Sequence, residues 1–483
     1  MYETVIGLEV HAQLKTKTKA FCGCLIEFAA PANSRSCPVC LGFPGSLPVL
    51  NEKVLGLGMR TALALNCTVQ KFTKFDRKNY FYPDLPKNYQ ISQYDLPLAL
   101  GGFLEIEVQQ VKKRIAIRRV HLEEDAGKLI HEEDASLVDY NRAGVPLLEI
   151  VSEPEIYSPL EAYEYLTALK AILRYLEVCD CDMEKGSLRC DANISLRKQG
   201  TKTLGTKAEL KNMNSFKAVR DALSYEIKRQ KEVLEAGDAV LQQTRLWDAL
   251  TFKTYPMRSK EEAMDYRYFP EPDLPPFVLS GKEITTIQEG LPELPSALKQ
   301  RLISQYELSS YDAAVLTNEK ALANFFEACA GLYPKAKAIC NWIIGPLNYE
   351  LNSRNTSIAA LNLQPESLVS LIKLIEGQRV SNLAAKDILT QMLNTGKSAD
   401  ELMKENDLAQ VSDTQVLDEL IGKIIADNPK SVGSYNSGKA NALMFLVGQA
   451  MRLSKGKANP KLVQEMLKKK IEHIFGSFKE GNP

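Results

Sequence analysis

One carboxylate in an otherwise apolar stretch constrains this sequence most: Glu149 lies inside the run from Val145 to Val151. The apolar flanks predict a buried strand, where a carboxylate carries a large desolvation cost unless a cation or a hydrogen-bond donor meets it. Two partners fit, an arginine such as Arg142 in a buried ion pair or a metal ion. Six more acids lie upstream, Glu123, Glu124, Asp125, Glu132, Glu133 and Asp134. The fold must therefore bring positive charge to this segment.

The N-terminal segment from Glu3 to Leu14 alternates strictly between apolar and polar residues. This period of two predicts a strand with one face in the core and one polar face. Glu9 and His11 lie two residues apart on the polar face, so their side chains emerge in parallel and suit a shared metal ion. An ordinary half-exposed strand gives the same pattern, and this segment alone leaves both interpretations open.

Four cysteines form two short pairs, Cys22-Gly-Cys24 and Cys37-Pro-Val-Cys40. Each pair can supply two corners of a tetrahedron, and thiolates are preferred zinc ligands. The sequence contains neither an apolar run of about 18 residues nor a signal-peptide pattern. We therefore expect a cytoplasmic protein without a membrane partner, in which disulfides are disfavoured. The pairs predict a structural Zn²⁺ knuckle over residues 22–40, and the other six cysteines are expected to be core or incidental residues.

The segment 75–95 mixes tyrosines and phenylalanine with cations, including Lys78 and Lys87 beside Tyr80 and Tyr89. Its proline content predicts an ordered loop. Cations beside aromatic rings can bind a phosphate and stack a base, although a solvated surface has the same composition. A hairpin is predicted next, with strands 103–111 and 114–123 joined by a turn at residues 112–113.

A second polar strand face is predicted between Leu188 and Arg197 and continues at residues 207–211. It carries acids, amides and cations together: Arg189, Asp191, Asn193, Ser195, Arg197, Lys207 and Glu209. Such a mixture suits a phosphate held with a divalent metal, because cations bind the oxygens and carboxylates bind the ion. Helices are predicted at 51–65, at 158–178 with an N-cap at Ser158, and at 215–236, where an amphipathic helix is closed by Gly237.

The 483 residues are too many for one ordinary domain. We predict an α+β fold: an N-terminal cradle of antiparallel sheet and helices with the zinc knuckle over residues 1–292, a helical domain over 293–406 and a small helical tail domain over 407–483. The net charge is zero overall, but from Asp427 onward ten lysines and arginines face four acids. A basic tail suits a polyanion. Lys455, Lys457 and Lys461 are candidates for nucleic-acid contact, with a solvated helix end as the alternative.

The chain resembles the GatB family, whose members are subunits of the bacterial aspartyl/glutamyl-tRNA amidotransferases. The resemblance covers essentially the whole chain and is carried by GLEVHAQL, the two cysteine pairs, FDRKNYFYPDLPKNYQISQYD, HLEEDAGK, YNRAGVPLLEIVSEP, LRCDANISLR, KAELKNMNSF, DYRYFPEPDLPP and LVGQAMRLSKGKANP. One departure is Lys207-Ala208, where the family often has Arg-Thr. It leaves Glu209 intact.

The resemblance implies an activity and its parts. Mischarged Glu-tRNA(Gln) or Asp-tRNA(Asn) would be activated with ATP at its side-chain carboxylate and then amidated, and the sequence leaves the choice of tRNA open. Ammonia would come through a channel from an amidase-type glutaminase, which with a small third subunit would complete a heterotrimer. This accords with the absence of an amidase-like segment from the sequence. A competing hypothesis is that the chain is a tRNA-binding assembly factor stabilised by zinc, without catalytic activity.

The resemblance also assigns roles to individual residues. His11, Glu124 and Glu149 match the family's principal Mg²⁺ ligands, which favours a metal over an arginine as the partner of Glu149. The neighbouring acids Glu9, Glu123, Asp191 and Glu209 match a second cation or ATP-binding region, to which Arg189 and Asn193 on the same face are added. Lys78 and Lys87 are candidates for guiding ammonia or holding the acyl phosphate.

Two further expectations concern residues near this site. Glu123 and Glu124 would point to opposite faces of a regular strand, so the strand is expected to end or bulge there. His121, His131 and His473 have no suggestive neighbours in the sequence and are expected at the surface.

Overall fold

The computed structural model describes residues 1–257, 266–406, 414–454 and 458–476. The chain divides into two compact units, Met1–Pro295 and Ser296–Pro483. The first unit mixes sheet and helix and the second is helical, so the predicted α+β class is confirmed. The three-domain division at 292/293 and 406/407 stays a prediction.

The strands all belong to the first unit within the described residues. In chain order they are β1 (Tyr2–Gln13), β2 (Thr68–Val69), β3 (Phe72–Thr73), β4 (Asp76–Asn79), β5 (Tyr89–Ser92), β6 (Ala99–Leu100), β7 (Phe103–Val108), β8 (Val111–Glu124), β9 (Lys128–His131), β10 (Ser136–Asp139), β11 (Pro146–Ser152), β12 (Leu188–Lys198), β13 (Ala208–Lys211), β14 (Gln243–Asp248), β15 (Lys253–Pro256), β16 (Phe269–Pro270) and β17 (Phe277–Val278). The helices of this unit are α1 (Glu52–Ala64), α2 (Pro159–Tyr175), α3 (Phe216–Glu235) and α4 (Gly281–Glu289).

The large sheet has the strand order β15-β14-β13-β12-β1-β11-β8-β6-β2, with β7 paired to β8. Its pairs are antiparallel except β13 with β14, which are parallel. The predicted antiparallel sheet is thus found, and the one parallel pair arises because helix α3 connects its two strands and returns the chain to the same end of the sheet.

Strand β1 is the centre of this sheet and shows the predicted alternation. Ile6, Leu8, Val10 and Ala12 are fully buried on one face, where α2 and α3 pack. Both helices begin at serine caps, of which the one at Ser158 was predicted: Ser158 accepts from the Glu161 amide and Ser215 from the Ala218 amide. The opposite face of β1 carries Glu9 and His11 and is left for the site.

The hairpin of β7 and β8 turns earlier than predicted. Val108 pairs with Val111, so the turn residues are Gln109 and Gln110, both with positive φ. Two successive positive φ angles match the right-handed strand twist in a two-residue turn. Residues 112–113 therefore lie on β8.

The second unit is helical throughout its described residues. Its helices are α5 (Pro295–Tyr306, which begins at the boundary), α6 (Ser310–Thr317), α7 (Lys320–Leu332), α8 (Ala336–Trp342), α9 (Asn348–Ser353), α10 (Pro365–Glu376), α11 (Asn382–Thr395), α12 (Ala399–Glu405), α13 (Thr414–Asp427), α14 (Pro429–Asn436), α15 (Ala440–Leu453) and α16 (Pro460–Gly476), with a π-helical turn at Ile343–Leu347 and a 3₁₀ turn at Ile358–Ala360. Helices α13 to α16 share an apolar core of their own. Among the helices described, none has the length and apolar character needed to span a bilayer.

Candidate active site

A row of four side chains crosses the polar face of the large sheet. His11 on β1 is paired with Glu149 on β11 and with Arg189 on β12. Glu149 is paired in turn with His121 on β8. Directly paired residues have neighbouring side chains on one face, so the isolated carboxylate of the sequence lies between two imidazoles.

Glu123 completes the group. The Nε2 atom of His11 lies 3.5 Å from Glu123 Oε1 and 3.4 Å from Glu149 Oε2. His11, Glu123 and Glu149 each offer one potential metal-ligand atom, and these three atoms lie within 4.8 Å of one another. Carboxylate oxygens and an imidazole nitrogen fit a divalent cation that keeps several waters, as Mg²⁺ does. We call these three residues the acidic cluster.

The electrostatics of the acidic cluster depend on His11 within it and on His121 beside it. Burial would raise the pKa of Glu149, but the charges and hydrogen bonds of His121 and His11 hold it well below its usual range. Burial would lower the pKa of His11, but Glu149 and Glu123 raise it to about 9. Arg142, the predicted alternative partner of Glu149, lies instead 3.6 Å from Asp125 and donates to the carbonyls of residues 126 and 127.

A second set of acids extends from the acidic cluster toward β13. Asn193 Nδ2 donates to Glu9 Oε1 at 2.9 Å, and Lys211 Nζ lies 2.8 Å from Asp191 and 3.1 Å from Glu209. Burial raises the pKa of Glu9, and the charges of Glu149, Glu209 and Asp191 raise it further. This surplus of negative charge around Glu9 favours a bound cation.

Arg189 lies beside these acids but is already engaged. Its guanidinium donates to Asp125 Oδ1 at 2.9 Å, and Gln13 donates to the other carboxylate oxygen of Asp125 at 3.0 Å. Asp125 was not among the predicted site residues. Its position directly after two predicted acids, at the end of a strand, was the available signal.

Glu124 does not join the acidic cluster. Strand β8 ends at Glu124, as predicted. The carboxylate Oε1 of Glu124 accepts from the Ile91 amide at 2.9 Å and pairs with Lys87. A cavity of about 250 Å³ adjoins this pair and is also lined by Cys40 and Gly144. Glu124 and Lys87 thus face the cysteine knuckle.

The charge of Lys78 interacts with those of the acidic cluster. Its Nζ is 4.9 Å from the centroid of the Tyr266 ring. Burial would lower the pKa of Lys78, but the charges of Glu123 and Glu149 are among those that raise it. Lys78 is therefore a cation held near the two carboxylates.

The four knuckle cysteines come together as predicted. The Sγ atoms of Cys22, Cys24, Cys37 and Cys40 lie within 4.8 Å of one another, close to the roughly 3.8 Å separation of sulfurs around a tetrahedral zinc with bonds of about 2.3 Å. Lys19, fully buried, donates to Cys40 Sγ at 3.4 Å. The geometry fits a zinc knuckle.

The expectation that His121 lies at the surface is wrong. His121 is 2% exposed and therefore not a surface residue, whereas His131 and His473 are exposed. The signal that was missed is the period of two: His121 lies two residues before Glu123 and so shares its face of the strand.

The predicted tRNA contacts lie only partly in the described chain. Lys461 is exposed near the start of α16. Its backbone amide donates to the Asn459 side chain at 3.0 Å. Lys455 and Lys457 lie outside the described residues.

Two known domain families match this chain. Residues 4–285 match the family described as the GatB/GatE catalytic domain, and residues 324–471 match the GatB domain. The chain is also similar to three proteins that are each named as the B-type subunit of aspartyl/glutamyl-tRNA(Asn/Gln) amidotransferase. The relative from Thermoanaerobacter sp. (strain X514) is 54% identical, and the match covers 97% of this chain and 99% of the relative. The relative from Carboxydothermus hydrogenoformans is 53% identical, with 98% of this chain and 99% of the relative covered. The relative from Moorella thermoacetica is 52% identical, with 97% of this chain and 100% of the relative covered.

Both domains of the family are thus present, and the similarity extends over nearly the full length of each relative. The chain belongs to the GatB family of amidotransferase subunits.

Proposed function

We propose that this chain activates the side-chain carboxylate of Glu-tRNA(Gln) or Asp-tRNA(Asn) with ATP and then amidates it. The acidic cluster carries this proposal, because it collects His11, Glu123 and Glu149 from three different strands at one point. The names of the relatives supply the substrates and the reaction class.

The reaction consists of two displacements. A substrate carboxylate oxygen bonds to the terminal phosphorus of ATP and ADP leaves, which gives an acyl phosphate. Ammonia then attacks the carbonyl carbon and inorganic phosphate leaves. A bound Mg²⁺ would offset the negative charge that otherwise opposes the first displacement.

The residues of the chain divide these tasks by position. His11 and Glu149, with one of the two neighbouring acids Glu123 and Glu124, would hold Mg²⁺. The resemblance names Glu124, whereas the geometry brings Glu123 to His11. The more distant acids and amide, Glu9, Asp191, Asn193 and Glu209, would border a second cation or the nucleotide, and Arg189 orders Asp125 beside them.

Two lysines suit the second displacement. Lys78 near Glu123 and Glu149 would attract the phosphate of the activated substrate, and Lys87 with Glu124 lines the cavity beside the knuckle. A polar ion pair at such a cavity can guide ammonia by hydrogen bonds without binding it tightly.

The proposed complex is a cytoplasmic heterotrimer, in which an amidase-type glutaminase and a small third subunit accompany this chain. The four-cysteine knuckle would hold Zn²⁺ as a structural ion, since sulfur would occupy all four positions. The tail would bind tRNA through Lys455, Lys457 and Lys461.

The test uses the reconstituted complex with Glu149→Gln or His11→Ala. Each variant is expected to lower ATP-dependent formation of phosphorylated aminoacyl-tRNA at least about 100-fold, because each removes a ligand of the ion that offsets charge in the transition state. Glu132→Gln, an exposed acid outside the site, is the matched control, and glutaminase activity reports intact assembly. Wild-type turnover by either site variant would support an assembly role without catalysis.

A further inference from the structure

We propose that His121 is a positioning residue that holds Glu149 in place while Glu149 and His11 bind the cation. This inference rests on the proposed metal site. Its first support is geometric: His121 is 2% exposed, and its Nε2 lies 3.2 Å from Glu149 Oε2. The two residues are directly paired between β8 and β11.

The second support is that one carboxylate oxygen serves two imidazoles. Glu149 Oε2 is 3.4 Å from His11 Nε2 as well as 3.2 Å from His121 Nε2. An imidazole nitrogen that binds a cation uses its lone pair and cannot also donate a hydrogen bond. Once His11 Nε2 is a ligand, His121 is therefore the imidazole that still donates to Glu149 Oε2.

The surroundings of Glu149 on its own strand offer no substitute. Its same-face neighbours on β11 are Leu147 and Val151, and neither side chain has a polar atom. Without His121, no residue of β11 would hold the carboxylate of Glu149 in the orientation that binds the cation. Fixing a ligand carboxylate with a hydrogen bond from behind raises metal affinity, and losing such a partner typically lowers affinity about 10- to 100-fold.

The third support is the other ring nitrogen of His121. Nδ1 is buried and has no hydrogen-bond partner within the described residues. An unpaired buried nitrogen is costly, and it is better tolerated as a lone pair in a ring whose other nitrogen bonds a carboxylate. His121 would thus hold its proton on Nε2 and direct it to Glu149.

His121 does not take the place of a ligand itself. Its Nε2 is 3.9 Å from Glu123 Oε2 and lies outside the acidic cluster. The His121 side chain is 2% exposed, compared with 20% for His11. The cation and its waters therefore reach the site from the His11 side, and His121 lies behind Glu149.

The test measures Mn²⁺ binding to the full-length chain by electron paramagnetic resonance. The amide of glutamine reaches about as far as Nε2 of histidine, whereas that of asparagine reaches only as far as Nδ1. His121→Gln is therefore expected to keep the Mn²⁺ dissociation constant within about threefold of wild type, and His121→Asn is expected to raise it about 10- to 100-fold. His131→Gln, at an exposed histidine, is the control and should bind normally.

The same variants separate positioning from folding in the reconstituted complex. His121→Asn should raise the Mg²⁺ concentration needed for half-maximal ATP-dependent activation by the same factor, with kcat at saturating Mg²⁺ nearly unchanged. Equal Mn²⁺ affinities for the glutamine and asparagine variants, whether normal or weakened, would overturn the proposal. If both His11→Ala and Glu149→Gln still bind Mn²⁺ like wild type, the metal site is refuted, and the proposed function with it.

A measurement on the wild-type chain covers the case in which His121→Asn does not fold. The chain has only four histidines, so ¹⁵N-histidine spectra are simple to assign by substitution. With Mg²⁺ bound, we expect His121 to be protonated at Nε2. Protonation at Nδ1 alone would overturn the proposal.

Discussion

Glu123 and Glu124 are adjacent in the chain but belong to different ion pairs: Glu123 Oε1 lies 3.5 Å from His11 Nε2, whereas Glu124 pairs with Lys87. The two side chains point to opposite faces because β8 includes both residues and ends only at Glu124. The two acids therefore have access to different steps of the proposed reaction.

We expect Glu123→Gln to weaken Mn²⁺ binding at least about tenfold, because it removes one carboxylate ligand from the acidic cluster. Glu124→Gln should change Mn²⁺ affinity less than threefold and should instead uncouple ammonia transfer, so that more glutamine is hydrolysed per amidated tRNA. Mn²⁺ titration and the ratio of glutamate to amidated product measure the two effects. The reverse order of Mn²⁺ affinities would make Glu124 the ligand, as the family resemblance implies.

Lys19 is expected to stabilise the zinc-bound knuckle. Four thiolates around Zn²⁺ carry a net charge of −2, and the ammonium of Lys19, fully buried, lies 3.4 Å from Cys40 Sγ. Lys19→Met keeps the length of the side chain and removes its charge, and should weaken zinc retention about tenfold. Competition with a chromogenic chelator measures this. Lys17→Met, at an exposed lysine nearby, should retain zinc like wild type, and equal retention by both variants would contradict the role of Lys19.

Local patterns predicted those parts of the fold that local physics determines. The alternation in β1, the serine cap of α2, and the spacing of the cysteine pairs each depend on a few adjacent residues. Each is found in the structure. The sequence therefore identified which faces are polar, but not which faces meet.

The site depends on registers that no single segment specifies. That His121 lies opposite Glu149, and Glu149 opposite His11, follows from the pairing of three strands far apart in sequence. A shift of one residue would turn the whole set to the other face. The period of two in β8 places His121 on the same face as Glu123, but only these registers place it beside Glu149. The fold also brings Arg142 to Asp125, and not to Glu149 as one hypothesis had it.

Two glycines in the first unit are expected to respond oppositely to alanine. Gly102 has φ of +118°, and an added Cβ would lie 2.7 Å from the Leu65 carbonyl oxygen. Gly102→Ala should therefore lower the free energy of unfolding by roughly 2–4 kcal/mol. Gly56 lies within helix α1, and beyond the backbone of that helix and the two chain neighbours an added Cβ there meets no described atom within 4 Å. Gly56→Ala should raise stability by about 0.5–1 kcal/mol through helix propensity, and urea unfolding of both variants measures the difference. If Gly102→Ala were as stable as Gly56→Ala, the backbone near Gly102 would relax around the added Cβ, and the predicted clash would be wrong.

Removal of residues from Ser412 onward should weaken tRNA binding while the glutaminase activity of the reconstituted complex remains. The reason is that α13 to α16 pack around a core of their own, and the segment from Asp427 carries a net charge of +6. Unchanged tRNA affinity after truncation would refute the proposed role of the tail.

Within this tail, two lysines on α16 form a matched pair. Lys461 is exposed, whereas Lys470 is 2.6 Å from Asp418 and also donates to a backbone carbonyl. A lysine that contacts a phosphate releases a counterion, so Lys461→Ala should reduce the slope of log affinity against log salt by about one. Lys470→Ala should leave this slope unchanged, because its charge is already neutralised within the tail. Filter binding at several salt concentrations measures both slopes, and equal slopes would show that the polyanion is bound by the field of the whole tail and not by Lys461.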